Sequence, residues 1–386
     1  MARVGRILIV GGGIAGLSAA AALRRAGLHA EVFEQAPSLR EVGAGVGLWS
    51  NAMASLDQIG AGAAVRAGSS PIRIVAGAGA AGNTITSLDL DELGAEFASA
   101  ACFVVKRRAL LSALADCLPK DIIHTNRRVI RVEPGAEGVS LHLEGEHVEA
   151  GDLLVGADGL HSVVRPVVVG DDVLRYSGQT CFRGLARVAV QRPHVMREVQ
   201  GRGQRGSVCP IDDETVYWWV AHNSPPNALL AREARKPYLL QRYAGWPFGI
   251  GAAIDATPSD AILQNDLVDR KPIKTYASGR LVLIGDAAHP TTPNLGQGAN
   301  MAIDDAIVLA RSLRDESSIT EGLQRYERER LPRTRLIVER SWSFGRMCLW
   351  DSALAVAVRE LLVCATPSRV LRDMLRWQVL ETVGPL

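Results

Sequence analysis

The chain has 386 residues, of which 47% are hydrophobic and 22% are charged, so it is long enough for a large core and for two closely joined domains. Its formal net charge of +2 argues against the basic surface that binds nucleic acid or an anionic membrane. The six cysteines form no Cys-x-x-Cys pair and no cluster with histidine. This pattern favours a reduced, metal-free, cytoplasmic protein and leaves disulfides as an alternative.

No targeting segment is expected. The apolar run at residues 7–10 is too short for a signal peptide. The apolar stretch at residues 353–365 is interrupted by Arg359 and Glu360 and is too short to span a bilayer.

A glycine motif follows the first predicted strand, residues 7–10. It has the spacing Gly-x-Gly-x-x-Gly and leads into an alanine-rich predicted helix at residues 15–26. In such a turn the first glycine permits the bend, the second lets N–H groups approach a pyrophosphate, and the third allows the helix to pack on the strand. No Ser, Thr, Asp or Asn caps the helix, so its free N–H groups suit a phosphate. The pattern predicts a dinucleotide site formed by Gly11, Gly13, Ile14, Ala15 and Gly16.

Glu34 follows the second predicted strand, residues 30–33, and lies 18 positions beyond Gly16. At this place an acidic side chain accepts hydrogen bonds from ribose hydroxyls. We therefore predict that Glu34 holds the ribose of the dinucleotide.

Two further motifs indicate which dinucleotide is bound. Asp158-Gly159 lies within residues 152–165, and residues 285–290 read Gly-Asp-Ala-Ala-His-Pro directly after the apolar run 281–284. Together with the N-terminal glycines, these motifs resemble the single-component flavoprotein aromatic hydroxylases, the class A FAD monooxygenases, of the salicylate and hydroxybenzoate hydroxylase kind. The resemblance runs from Ile7 to about Ser343, and three ordered motifs at the family's spacing make it specific.

The resemblance implies further contacts to FAD. Arg107 matches a flavin-binding arginine of the family, and residues 177–178 and 182–184 resemble its strand-edge motif. Residues 293–300 and 303–306 resemble the loop and helix beside the isoalloxazine ring, with one departure at Asp304, where relatives usually carry Glu. Besides the glycine motif and Glu34, the implied FAD-binding residues are Gln35, Arg40, Gly45, Val46, Arg107, Val129, Asp158, Asp286, Pro293, Gly296, Gly298 and Ala299.

Some of these positions also have a chemical rationale of their own. Asp286 follows a buried strand and can accept a hydrogen bond from a ribityl hydroxyl, the alternative being a helix cap. Residues 296–299 open a predicted helix that runs to about Leu313, and its N–H groups would stabilise a reduced, anionic flavin. Asp158 either serves the cofactor or caps a turn. His289 is interpreted as a structural histidine rather than a proton carrier.

The implied fold is α/β: a Rossmann-like FAD-binding domain of the hydroxybenzoate-hydroxylase type, interleaved with an antiparallel β-sheet substrate domain and followed by C-terminal helices. The FAD-binding domain is predicted at residues 1–71, 104–173 and 273–320, the substrate domain at 72–103 and 174–272, and the helical segment at 321–386. Pro332 is expected to kink or split one long helix. The arginine-rich residues 325–340 carry interspersed glutamates, which predicts a solvated helix face.

The resemblance also implies a reaction. It predicts an FAD-dependent monooxygenase that consumes NADH or NADPH and inserts one oxygen atom of O2 into an electron-rich, phenolic ring through a C4a-hydroperoxyflavin. The protein must hold the ring over the flavin, exclude water and help to remove a proton. We expect a small aromatic substrate and O2 as the partners of a monomer or homodimer, without nucleic acid, membrane or metal.

The substrate pocket is predicted between the middle sheet and the loop at residues 293–298. In a strand, Tyr217 and Trp219 share one face and His222 the other, and the sequence leaves open which face meets the flavin. Core packing is the alternative for each aromatic side chain and for His222. The predicted catalytic residues are Arg205, Tyr217 and His222, with Trp219 and Trp246 as further candidates.

The flavin loop bears on the substrate. Arg205 and Tyr217 resemble an Arg and a Tyr of urate-hydroxylating relatives, but those relatives carry a carboxylate where this chain has Asn294, as the phenol and salicylate types do. An amide cannot take up a proton as a carboxylate can. The sequence therefore favours a phenolic or other electron-rich ring over urate, and Arg205 would suit a salicylate-like acid.

Two other functions stay open at this point. A flavin reductase or dehydrogenase of the same fold would make no use of O2, and a flavin-retaining binding protein would have no catalysis. The lack of a second glycine-motif domain for the nicotinamide nucleotide favours the monooxygenase. The sequence leaves open the substrate, the choice of NADH or NADPH, and hydroxylation versus epoxidation.

Overall fold

The computed structural model describes residues 4–39, 44–92, 102–190, 192–380 and 383–386. The strands in these ranges are β1 (Arg6–Val10), β2 (His29–Phe33), β3 (Gly45–Trp49), β4 (Ser69–Ile72), β5 (Ile74–Gly79), β6 (Thr84–Asp89), β7 (Cys102–Lys106), β8 (Ile123–His124), β9 (Val129–Pro134), β10 (Val139–Leu143), β11 (Val148–Gly151), β12 (Leu153–Gly156), β13 (Arg175–Arg187), β14 (Val195–Gln200), β15 (Gln204–Pro210), β16 (Thr215–Asn223), β17 (Leu263–Asp269), β18 (Ala277–Ser278) and β19 (Leu281–Leu283). The α-helices are α1 (Ile14–Arg25), α2 (Ser50–Ile59), α3 (Gly62–Ala67), α4 (Arg107–Ala115), α5 (Arg165–Val169), α6 (Arg232–Tyr243), α7 (Ile250–Ala256), α8 (Gly298–Asp315), α9 (Ile319–Cys348), α10 (Ala353–Ala365) and α11 (Ser368–Leu380).

A six-stranded sheet in the order β18-β19-β12-β1-β2-β8 carries the first glycine motif. All its pairs are parallel except β18–β19. Buried parallel strands are apolar throughout rather than alternating, and β1 is buried from Ile7 to Val10. The predicted strands at 7–10 and 30–33 and the predicted helix at 15–26 are confirmed to within one residue.

A seven-stranded sheet has the order β17-β13-β16-β15-β14-β5-β6, with every pair antiparallel except β14–β5. It confirms the predicted antiparallel sheet. The sequence patterns do not predict α6 and α7, which lie inside this region and cover the back of the sheet. In α6, Leu239 and Tyr243 are buried with Trp218 and Val220 of β16. The sequence does not predict this helix because it contains Pro237, a residue that disfavours helix interiors.

The two large sheets use interleaved parts of the chain. The six-stranded sheet takes its strands from residues 6–33, 123–156 and 277–283, and the seven-stranded sheet takes them from 74–89 and 175–269. A three-stranded sheet, β3-β7-β4, lies between them, and another, β11-β10-β9, adjoins β1. The boundaries given above for two domains and a helical segment stay a prediction.

The C-terminal part is helical, but α9 is not split. It runs through Pro332 from Ile319 to Cys348 as one helix, so of the two predicted effects of Pro332 the split is wrong, and the kink stays a prediction. A proline removes one backbone hydrogen bond from a helix. Tertiary packing outweighs that loss here because Thr334 and Ile337 are buried just beyond the proline.

The arginine-rich part of α9 is only partly solvated. Arg325 and Arg335 form exposed i,i+4 pairs with glutamates, as expected. Arg330 and Arg333, however, are buried, so the interpretation of the whole stretch as a solvated face is wrong. Arg330 is buried because it meets a carboxylate of the neighbouring helix.

That carboxylate belongs to Asp305 in α8, whose side chain is fully buried. One oxygen accepts from Arg330 Nε at 2.7 Å, and the other accepts from the Gly285 N–H at 2.9 Å and from His289 Nε2 at 2.6 Å. Burial alone would raise the pKa of Asp305, but His289 and Arg330 together with these hydrogen bonds hold it below its ordinary value. The carboxylate thus ties the strand-end motif at residues 285–290 to α8 and α9.

Within the described ranges, no helix combines the length and the apolar character needed to cross a bilayer. All six cysteines lie in these ranges and are free thiols.

We expect Asp305→Ala to lower the free energy of unfolding by about 3–5 kcal/mol, since it leaves the buried Arg330 without its partner. Urea denaturation of the apoprotein measures this. The control is Arg335→Ala, which removes the exposed Arg335–Glu339 pair at 2.9 Å and should cost less than about 1 kcal/mol. Equal losses in the two variants would contradict the role given to Asp305.

The pH dependence of stability follows from the same pair. A carboxyl whose folded-state pKa is depressed contributes stability above its unfolded pKa and loses it as the pH falls through the folded pKa. The stability difference between the parent protein and Asp305→Ala should therefore be full at neutral pH and shrink at pH values below about 4. Thermal unfolding at several pH values checks this trend.

Candidate active site

A cavity of about 1090 Å³ lies between the two large sheets and brings together residues that are far apart in the sequence. Sixteen of the predicted FAD-binding residues and two of the predicted catalytic residues line it: Gly11, Gly13, Ile14, Ala15, Glu34, Gln35, Gly45, Val46, Arg107, Val129, Asp158, Asp286, Pro293, Gly296, Gly298 and Ala299, with Arg205 and Tyr217. Gly16 and His222 do not line it, and Arg40 lies outside the described residues.

The glycine turn after β1 has the geometry that a pyrophosphate needs. Gly11 has a φ of +104°, and a Cβ there would lie 2.5 Å from the carbonyl oxygen of Ala157. A Cβ at Gly16 would collide with the carbonyl oxygen of Gly11, so Gly16 serves helix packing rather than lining the cavity. Gly13 begins α1 without any side-chain cap, and the space beside it is open. The first N–H groups of α1 are therefore available to an anion.

Glu34 lies at the edge of this turn. Its carboxylate accepts from the Gly12 N–H at 2.6 Å and from the Ala36 N–H at 2.7 Å, one with each oxygen. These bonds fix the carboxylate at the cavity, and each oxygen retains lone-pair capacity for a hydroxyl donor. The geometry fits a ribose contact.

Asp286 lies in a 3-10 turn at Gly285–Ala287 and is open to the cavity. Among the described residues, no group donates a hydrogen bond to its carboxylate. Burial among protein atoms raises its pKa, against the opposing influence of His289 and Arg107. A carboxylate held in this way can accept from a hydroxyl of a bound ligand, and the helix-cap alternative has no support in its contacts.

Asp158 combines the two interpretations that the sequence left open. One oxygen accepts from the Val163 N–H at 2.7 Å and so closes the turn after β12. The other oxygen is buried without a hydrogen bond among the described residues, and Asp158 lines the cavity. Burial raises the pKa of this carboxyl. The contacts therefore show the capping role, and a contact of Asp158 with the cofactor stays a prediction.

The loop before α8 forms another part of the cavity wall. Pro293–Leu295 is a 3-10 turn, Gly296 follows with a φ of +61°, and α8 begins at Gly298 without a side-chain cap. Gly298 and Ala299 therefore expose N–H groups at the positive end of a long helix. Asp304, the departure from the family's Glu, is buried in α8 and accepts from Asn51 and Ser55 at 2.9 and 2.7 Å.

The seven-stranded sheet settles which face of β16 meets the cavity. Tyr217, Trp219 and Ala221 line it, together with Arg205 of the neighbouring strand β15. Tyr217 also packs against Gly45, where a Cβ would overlap the ring. Burial raises the pKa of Tyr217, so its phenol stays neutral.

His222 is a correction. It lies on the opposite face of β16, stacked on Phe182 and hydrogen-bonded to Tyr243 at 3.0 Å and Tyr238 at 2.9 Å. Burial lowers its pKa to about 4. It is a core histidine, and a catalytic role at the cavity is wrong because the sheet separates it from the cavity. Trp246 also packs in that core, against Tyr243.

Arg205 is buried at the cavity wall and directed by three neighbours. Its Nη2 donates to Asn294 Oδ1, Nη1 lies 3.7 Å from Glu198 Oε1, and the guanidinium lies 5.2 Å from the ring centroid of Trp219. Its Nε has no hydrogen bond within the described residues. Asn294 is itself fixed, since its Nδ2 donates to Thr292 Oγ1 and to the Ser341 carbonyl, each at 2.8 Å.

Glu198 is a charged cavity residue that the sequence patterns do not indicate. Burial raises its pKa, while Arg205 opposes that rise. No motif surrounds Glu198 in the sequence, and only the β14–β15 register, which pairs Glu198 with Ser207, places it beside Arg205. Because side chains alternate between the two faces of a strand, the position of Arg205 shows which residues of β15 face the cavity. The residues of β14 that lie opposite them cannot be deduced from the sequence.

Among the described residues, no group of three or more His, Cys, Asp and Glu side chains is arranged to hold a metal ion. The groups that do converge are an open helix N-terminus, two carboxylates with free acceptor capacity and a second helix N-terminus. This donor and acceptor set fits a dinucleotide with a ribityl chain, as in FAD.

Comparisons with known proteins agree with this site. The model of the FAD binding domain family matches residues 5–341. Aurachin C monooxygenase/isomerase from Stigmatella aurantiaca is 39% identical over 92% of this chain and 93% of its own length. The chain belongs to the class A flavoprotein monooxygenase family.

Two other family members extend the comparison. The 3-amino-4-hydroxybenzoate 2-monooxygenase of Streptomyces cremeus is 35% identical over 85% of this chain and 84% of its own. The crystal structure of Klebsiella pneumoniae HpxO complexed with FAD and uric acid is similar with a TM-score of 0.91 at 27% identity, covering 97% of each chain. The predicted fold, the FAD cofactor and the assignment as an FAD-dependent monooxygenase are confirmed.

We expect Glu34→Ala to weaken FAD binding by about 1–3 kcal/mol, because it removes a charge-assisted acceptor at the ribose position. Titration of the apoprotein with FAD measures the dissociation constant. Glu31→Ala is the matched control, since Glu31 lies on β2, the strand that Glu34 follows, and pairs with Arg6 and His124 instead of lining the cavity. Unchanged affinity in Glu34→Ala would exclude the ribose contact.

Asp286→Ala should lose FAD or hold it weakly while the apoprotein keeps its thermal stability, since the Asp286 carboxylate accepts no hydrogen bond from the described residues. Asp305→Ala, in contrast, should destabilise the apoprotein itself. The two measurements are the flavin content after purification and the unfolding temperature of the apoprotein. If both variants stay equally stable and bind flavin equally well, the division of roles between the two carboxylates is wrong.

Proposed function

We propose that this monooxygenase uses NADH or NADPH as reductant and transfers one oxygen atom of O2 to an electron-rich, phenolic ring. The substrate lies between the seven-stranded sheet and the loop at residues 293–298. The observation that carries this proposal is Arg205, a buried guanidinium on the cavity wall whose Nε is an unused donor and whose direction is set by Asn294. The proposal also includes a cytoplasmic protein that acts as a monomer or homodimer.

FAD, once reduced by the nicotinamide nucleotide, supplies the activated oxygen for the transfer. The chain's own residues do the rest. Arg205 stabilises negative charge on a phenolate or carboxylate oxygen of the ring, and charge-assisted hydrogen bonds of this kind are stronger than neutral ones. Trp219 and Tyr217 flank the same space with aromatic surface, and Glu198 balances the guanidinium charge.

The contacts of Asn294 support a phenolic ring over urate. Its amide oxygen faces Arg205, and its amide nitrogen is committed to Thr292 and Ser341. Asn294 therefore positions Arg205, but its amide cannot take up a proton near neutral pH. The carboxylate that the resemblance implies at this loop position in urate-hydroxylating relatives is an amide in this chain, and that difference supports a ring other than urate.

The use of a transient nicotinamide nucleotide rests on the number of dinucleotide turns. Two further Gly-x-Gly-x-x-Gly sequences occur, at residues 77–82 and 201–206. Both lie at β-hairpins, β5–β6 and β14–β15, and not at a strand-to-helix turn. In the described part of the chain, the turn after β1 is thus the one with dinucleotide-binding geometry, which leaves the nicotinamide to share the cavity.

The reaction class can be tested with the purified holoenzyme. NAD(P)H alone should reduce the flavin slowly, and a phenolic substrate should accelerate reduction by favouring the reducible arrangement; about 1.4 kcal/mol of preference gives a tenfold increase. Turnover under 18O2 should place one labelled atom in the product. Reduction by the substrate itself, without NAD(P)H and without label, would identify a dehydrogenase instead.

The role of Arg205 is tested in the same assay. Arg205→Ala should raise KM for a phenolic substrate by about 10- to 100-fold, the loss of one charge-assisted hydrogen bond. His222→Gln serves as the control, because this residue lies on the far face of the neighbouring strand. If both variants change KM alike, Arg205 acts through the fold and not on the substrate.

A further inference from the structure

The cavity face of the seven-stranded sheet is divided into rows by the strand register. Side chains that lie opposite one another on paired strands form a row across the sheet. Trp219 pairs with Arg183 and with Ser207, and Ser207 pairs with Glu198. These four residues all line the cavity and form a polar row.

The next row, two residues along each strand, is apolar. Tyr217 pairs with Cys209, Met196 continues that register on β14, and Val75 pairs with both Met196 and Leu88. All five side chains line the cavity. The row runs from β16 to the edge strand β6.

A second apolar wall faces this row. Trp49, Cys102 and Val104 of β3 and β7 and Leu375 of α11 line the cavity and pack in one apolar cluster with Val75, Met196 and Cys209. Burial raises the pKa of Cys102 and of Cys209, so both thiols are uncharged. Together the two walls bound an apolar slot, defined by Cys209, Met196, Val75 and Leu88 on one side and Cys102, Val104 and Leu375 on the other.

The slot has a measurable length. From Cys209 on β15 to Leu88 on β6 the row crosses three strand spacings of about 4.8 Å, or roughly 14 Å. With carbon–carbon bonds of about 1.5 Å at tetrahedral angles, a zigzag alkyl chain advances about 1.3 Å per bond, so a chain of about eleven carbons spans that distance. A phenol of one ring bound at Arg205 would leave this slot empty, and buried apolar surface of this extent favours an apolar occupant.

We propose that the aromatic substrate carries an alkyl chain, with its polar ring at Arg205 and Glu198 and its chain in the slot between β15, β14, β5 and α11. The polar row adjoins the apolar row along β15, where every second side chain, Arg205, Ser207 and Cys209, faces the cavity. This inference rests on the proposed function for the ring and adds the chain as a determinant of specificity.

The test uses 2-, 3- and 4-n-alkylphenols with chains from methyl to dodecyl. Their dissociation constants are measured with the oxidised holoenzyme, from the change that each phenol causes in the flavin absorbance, so that no turnover is needed. In at least one series, affinity should increase by up to about fourfold for each added methylene, the gain expected from burying it, and the increase should end at about eleven carbons.

Two variants narrow the slot from opposite walls: Leu88→Phe and Leu375→Phe. Each should reduce the ratio of decylphenol to methylphenol affinity by at least tenfold. Val173→Phe, at a position that is 83% exposed and outside the cavity, is the matched control and should keep the ratio. Flavin content and unfolding temperature identify a variant that has not folded. In that case the affinity ratio of the other slot variant is the test.

The outcomes separate this inference from the proposed function. Phenols that stimulate NAD(P)H oxidation without any effect of chain length would overturn the slot and leave the function intact. An equal gain with chain length in all four proteins would show non-specific partition and would also overturn it. If no phenol binds, the function fails, and n-alkanols from hexanol to decanol test the slot alone: stabilisation that grows with chain length in the parent protein but not in the slot variants supports it, and its absence overturns it.

Discussion

The buried carboxylate of Asp305 is the interaction on which the cofactor site depends. It accepts from Arg330 of α9, from His289 and from the N–H of Gly285, the first residue of the strand-end motif. An ionised group without access to water is stable only when its oxygens are fully partnered, and the three donors meet that need. The same set of contacts fixes where residues 285–290 turn relative to the helix that begins at Gly298.

The hydrogen bonds of Asp305 also explain why Asp286, in the same region of the fold, has a different role. Asp305 takes the Gly285 N–H and His289, and among the described residues no hydrogen bond to the Asp286 carboxylate is formed, so the turn holds this carboxylate open to the cavity. At the N-terminus of α8, the first N–H groups lack a capping side chain and face the same cavity. Within the described residues, the cavity thus holds a carboxylate acceptor and helix N–H donors that have no protein partner, and a bound ligand such as FAD would satisfy both.

Sequence reasoning reached the parts of this site that are set locally. Gly11 and Gly13 require particular backbone geometry, and that requirement is visible as glycine spacing after an apolar strand. It did not reach Glu198, the burial of Arg330 or the continuity of α9 through Pro332, because each depends on a partner distant in the chain. His222 shows the same limit: alternation separates it from Tyr217, but only the packing of α6 shows which face of β16 is the core.

The two-residue period of the seven-stranded sheet has a further consequence for the cavity. Along β15 the side chains of Arg205, Ser207 and Cys209 face the same space in order of falling polarity. A shift of one residue in the β15–β16 register would turn all three toward Trp218 and Val220 in the core, so binding polarity and core packing are set by one pairing. Trp218 Nε1 donates to Thr257 Oγ1 at 2.8 Å on the core side, and that bond opposes such a shift. The polarity of the cavity wall and the packing of the core behind it are therefore fixed together by one strand register.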